Sequence, residues 1–186
     1  MAMTGLQQGQ NGTVHINKVI PTTGTPVNSV NAQGLLTIAL QPVAGETFTI
    51  GTKVYTFVTD ETAAEDGEVD VGADVADAKV QIVAAINGTD HNTASVDVTA
   101  STFAADICTL TAILGGVLAN STATTETLDG AGNIFDDTTL GTETPGVDGT
   151  PGVVNEALMD ASYLYYCTAE SDITQSSWVR TAVASF

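Results

Sequence analysis

Basic side chains are almost missing from this sequence of 186 residues: 4 Lys and Arg stand against 22 Asp and Glu, a formal charge of −18. So few cations cannot neutralise a row of phosphates, and the excess of acid repels a polyanion, which excludes nucleic-acid backbones and anionic membrane surfaces as partners. Aromatic residues make up only 5%, too few to build the stacking platforms of a glycosidase cleft. The two cysteines, Cys108 and Cys167, lie far apart with no CxxC spacing, so neither a zinc site nor a redox motif is readable and free thiols are expected. No apolar run reaches the length of a membrane span: the longest, about residues 107–119, is interrupted by Thr and Gly. The opening MAMTGLQQGQNGTV has no basic or apolar leader region, so synthesis in a cytoplasm without secretion is expected.

Catalytic signatures are also lacking. No GxSxG, HExxH, GxxxxGK[ST] or GxGxxG occurs, and the two histidines, His15 and His91, sit in no recognisable motif. The expectation is that the chain is not an enzyme and carries no cofactor. Carboxylates are the one abundant chemistry. Asp66, Glu68 and Asp70, with Asp60 and Glu61 nearby, and the pair Asp136 and Asp137 offer oxygens suited to a hard cation, but neither group has the register of an EF-hand loop. They read as solvated acidic loops, with no metal expected.

What is present is mostly strand period. With 43% apolar residues the chain has enough to bury a core. Residues 1–34 are rich in Gly, Asn, Gln and Thr, with one short apolar run over 14–20 ending at Pro21, and read as an extended N-terminal arm. From Leu35 to Leu40 apolar and small residues alternate. Phe48 and Ile50, then Gly51-Thr52, then Lys53 to Val58 predict a tight β-hairpin. Asp74 as N-cap, Val75, Ala78, Ile82 and Ile86 at helical spacing, and Asn87-Gly88 as a stop predict a helix over 75–86. Residues 94–99 and 107–113 read as antiparallel strands, with Cys108 on the inward face, and 114–140 as an ordered loop with short pairings. The run GTETPGVDGTPG over 141–152 reads as a turn-rich linker. Two further strands, about 163–168 and 178–183, follow. The fold class expected is α+β and β-rich: a small antiparallel sheet module over 35–140 with one main helix, the arm 1–34, the linker 141–152 and a C-terminal β-hairpin module over 153–186.

The C-terminal segment holds the only Trp and three of the four Tyr, residue types enriched at interface centres. Tyr163, Tyr165, Tyr166, Trp178 and Arg180 are therefore candidate contact residues, the alternative being that they close a small local core. Val14, Ile16, Val19 and Ile20 in the arm are candidates for strand addition to a neighbouring sheet.

The ordered series GETFTIGTKVYTFV over 45–58, the Ala/Asp-rich helix ending AAIN at 84–87, TATTET at 122–127, GVDGTPG at 146–152, DASYLYYC at 160–167 and WVR at 178–180 resembles structural proteins of tailed bacteriophages, of the capsid-decoration or head-fibre type. The resemblance spans about residues 14–183. It implies a virion component on the capsid exterior, a homo-oligomer with a trimer favoured, and the major capsid protein as partner, with no catalytic residue to carry over. The alternatives are a tail or fibre component, or a glycan-binding host-attachment module.

Overall fold

The computed structural model describes residues 18–21, 26–59, 65–129, 131–153, 156–160, 162–168, 174–175 and 177–182. The fold is α+β and β-rich, with three four-stranded sheets and one α-helix among the described residues. The chain divides into two compact units: residues 31–146, and residues 1–30 together with 147–186.

In the first unit, β2 (Asn31–Thr37) pairs antiparallel with β7 (Ile107–Gly115) and with β9 (Ile134–Phe135), while β6 (Val98–Ala100) flanks β7. A second sheet runs β5 (Glu68–Asp70), β4 (Lys53–Val58), β3 (Thr47–Ile50), β8 (Thr124–Glu126), with β5 parallel to β4. The hairpin β3–β4 forms in the expected register, Ile50 opposite Lys53, with Gly51 at φ 60. That left-handed conformation costs glycine nothing and other residues about 1–2 kcal/mol. Cross-strand partners Phe48 and Tyr55 stack at 4.6 Å between centroids and 8° between planes, and Phe57 tilts against Phe48.

Helix α1 (Val75–Asn87) has the expected ends. The Asp74 carboxylate accepts from the N–H of Ala76 and Asp77, and Gly88 closes the C-terminus at φ 66, donating to the Ala84 carbonyl. The close approach of Ala94 backbone at Gly88 leaves no room for a Cβ. Ala78, Ile82, Ala85 and Ile86 are the buried face of the helix, and Ile82, Ala85 and Ile86 form one core with Leu36, Ile38, Ile50, Cys108 and Leu110. Each large apolar side chain so buried contributes about 1.5–3 kcal/mol.

Three boundaries differ from the sequence expectation. Strand β2 begins at Asn31 rather than near Leu35, because its inward residues Ala32 and Gly34 are too small to register as an apolar period; Gly34 packs against Leu140, whose Cδ2 would lie 3.0 Å from a Cβ placed there. The strand expected at 94–99 shortens to β6, because the Ser95 hydroxyl accepts from the N–H of Asp97 and Val98 and turns the chain there. The 141–152 segment is divided between the units: Thr144 bridges Gln33, the Asn120 side chain clamps Gly146 through both its amide atoms, and Val147 bridges Val30. The short pairings expected over 114–140 are β8, β9 and a 3-10 turn at Val117–Ser121.

The second unit holds one sheet ordered β1 (Lys18–Pro21), β10 (Glu156–Met159), β11 (Tyr163–Cys167), β12 (Trp178–Ala182). The pairs β10–β11 and β11–β12 are antiparallel; β1 joins β10 in parallel. Strand β10 was not readable beforehand. Glu, Ala, Leu and Met favour helix, and only its two strand neighbours hold this four-residue run extended.

Candidate functional site

Most of the described carboxylates serve as caps for backbone N–H groups rather than converging on a cleft. Glu46 accepts from Val43 and Asp129, Asp66 from Thr93, Glu68 from Glu65, Asp70 from Gly72, and Asp77 from Ala73. Asp90, Glu126, Asp136, Asp137 and Glu156 do the same for Asn92, Leu128, Leu35, Thr138 and Val153. The carboxylates singled out as possible cation ligands, Asp66, Glu68, Asp70, Asp136 and Asp137, are all in this group; Asp60 and Glu61 lie outside the described residues. Among the described residues no group of three or more His, Cys, Asp or Glu is placed to hold a metal ion. The Lys53 ammonium, 2.8 Å away, and the Thr93 N–H hold the Asp66 carboxyl below the usual carboxylate range.

Two ionisable groups in the core shift the other way. Burial pushes the Cys108 thiol up to about 11, far from the thiolate state a nucleophile needs. Burial also pushes the Tyr55 phenol up to about 12. Its hydroxyl has no hydrogen-bond partner among the described residues; the Ser95 hydroxyl beside it moderates the shift without meeting bonding geometry.

The candidate contact residues fall in the second unit. Val19 and Ile20 lie in β1, in register with Ala157 and Leu158; Val14 and Ile16 lie outside the described residues. Tyr165 and Trp178 are buried and form a small core with Cys167, against which Leu158 and Tyr163 pack. Gly152 backs onto the Trp178 ring and the Cys167 sulfur, and any side chain there would collide with the indole. Trp178 is fixed at both polar points: its indole N–H donates to the Thr150 carbonyl at 2.6 Å and its backbone N–H to Asn28 Oδ1 at 2.9 Å. Tyr165 donates its hydroxyl proton to Asp160 Oδ2 at 2.8 Å. The N–H of Ser162, then the Tyr165 hydroxyl, hold the Asp160 carboxyl below its ordinary range.

The structure thus brings Tyr163, Tyr165, Trp178 and Arg180 together, with Tyr166 half-buried on the same strand. The Arg180 guanidinium lies 4.7 Å from the Tyr163 ring centroid, a cation–π distance. Pro26, Val27, Asn28, Tyr165, Trp178 and Arg180 line a cavity of about 320 Å³. Sequence reasoning found the aromatic side of this cavity but missed Pro26–Asn28, which a polar, featureless run gives no cause to single out. A second hollow of about 470 Å³ lies in the first unit, between α1 and the turn before β7, lined by Ala76, Val80, Val83 and Phe103 among others. Among the described residues no helix is long and apolar enough to cross a membrane. No protein-family model, curated protein or solved structure matches the chain.

Proposed function

We propose that this chain is a structural component of a tailed-bacteriophage particle, decorating the outer surface of the capsid and reinforcing it through its N-terminal arm and C-terminal unit. The observation that carries the reading is β1. A four-residue strand from the arm joins a sheet whose other strands lie more than a hundred residues away, by backbone pairing along one edge, with Lys18 in register with Glu156. That pairing is made within the chain; the same backbone edge pairing made with a neighbouring sheet would tie the chain to a shell with little side-chain chemistry. The use of carboxylates as loop caps supports the same reading, because it assigns the acidity to scaffolding and leaves a strongly negative surface that keeps particles apart in solution. The resemblance of the residue series over 45–180 to capsid-decoration and head-fibre proteins is what suggests the reading from the sequence.

The test is sedimentation of the purified chain with assembled shells and, separately, with isolated coat subunits. The reading predicts that the chain travels with shells and not with free subunits, and as a symmetric oligomer when alone. A chain that stays at the top of the gradient in the presence of intact shells contradicts it.

A further inference from the structure

We propose that the cavity under Arg180 in the second unit binds a carboxylated sugar. The starting point is how the few cations are used. Lys53 and Lys79 are each paired with a carboxylate, Asp66 at 2.8 Å and Asp106 at 2.7 Å. Arg180 is the only arginine in a chain with 22 acids, yet no carboxylate among the described residues lies within ion-pair distance of it. It is held instead over the Tyr163 ring, with Asp160 near enough to feel its field, and its side chain is exposed at the cavity.

The walls define what would fit. The Trp178 indole N–H is already bound to Thr150, so the indole offers only apolar surface, beside Pro26 and Val27. Tyr165 has its hydroxyl proton committed to Asp160 and adds the face of its ring to the aromatic wall. Asn28 uses Oδ1 to receive the Trp178 N–H, which leaves its amide N–H pair as donors. The cavity therefore offers a guanidinium fork and an amide donor against an apolar, aromatic wall. A carboxylate matches the fork in two parallel hydrogen bonds, a sugar ring places a C–H face on the apolar wall, and a ring hydroxyl meets the Asn28 amide. The volume, at the small end of ligand pockets, accommodates a single ring. The overall negative charge repels simple anions, so retention of one depends on Arg180.

Trp178 is the only tryptophan, so its emission in the full chain reports this cavity alone. Titration with D-glucuronate is expected to give a saturable change in emission, with D-glucose and acetate each binding at least about tenfold more weakly, because one lacks the charge and the other the ring. Arg180→Ala is expected to weaken glucuronate by at least about tenfold, and Arg180→Lys, which keeps the charge over Tyr163 without the fork, to fall between. Arg180→Lys keeps the test valid should the alanine variant fail to fold. No saturable response to glucuronate, equal affinity for glucose or acetate, or undiminished binding in both variants overturns the proposal. The inference stands apart from the particle reading, and neither result decides the other.

Discussion

Asp74 illustrates how single carboxylates act in this protein. It accepts two N–H groups at the start of α1, where the helix has orphan donors and a positive dipole end. Asp74→Ala is expected to lower stability by about 1 kcal/mol in chemical denaturation, with the core and sheets unchanged. Tyr55 presents the opposite case, a buried hydroxyl without a partner among the described residues. Tyr55→Phe retains the ring stack on Phe48 and removes the unpaired group, so denaturation should show a gain of up to about 1–2 kcal/mol; a loss would mean the hydroxyl is bonded. Acid acts through Asp66 and Asp160, whose carboxyl groups titrate below the ordinary 3.8 in the folded chain. A carboxyl depressed on folding stabilises the fold above its unfolded value, and that contribution disappears as pH falls through the lower folded value. Denaturation midpoints of the native chain should therefore drop between about pH 5 and 2, and Asp160→Asn should flatten that drop.

Elements that carry their own start and stop chemistry were readable in the sequence, and elements that depend on distant partners were not. The helix has an N-cap, a left-handed glycine stop and a 3.6-residue period, and it forms where those signals place it. The β3–β4 hairpin has a two-residue glycine turn between alternating apolar residues. By contrast β10 is helix-favouring in composition and becomes a strand through β1 on one side and β11 on the other. The start of β2 was hidden by Ala32 and Gly34, whose burial shows only in the folded core, Gly34 lying against Leu140. Half of the cavity was hidden for the same reason: Tyr165, Trp178 and Arg180 attract notice by type, whereas Asn28 matters only through its bond to the Trp178 backbone. The dependence of β10 on the arm has a direct consequence. Removing residues 1–25 should speed hydrogen–deuterium exchange of amides in 156–159 while leaving those of β3, β4 and α1 unchanged; equal protection in 156–159 would show that β1 does not hold the edge.

On the scale of the whole molecule, the charge of −18 and the division into two units give the account its form. The first unit is a self-contained α+β core whose acids brace its loops. The second combines the arm strand, a small aromatic core and the one arginine, and the proposed contacts are assigned to it. The proposed capsid role would use these two properties separately, the acidic first unit for repulsion between particles and the second unit for contacts. The most direct measurement is a cryo-EM reconstruction of the native particle whose genome encodes the chain. The account predicts symmetric density for the 31–146 unit on the outer face of the shell, tied to the coat protein through the arm and the C-terminal unit. Particles without that density, or with the chain inside the shell, contradict it.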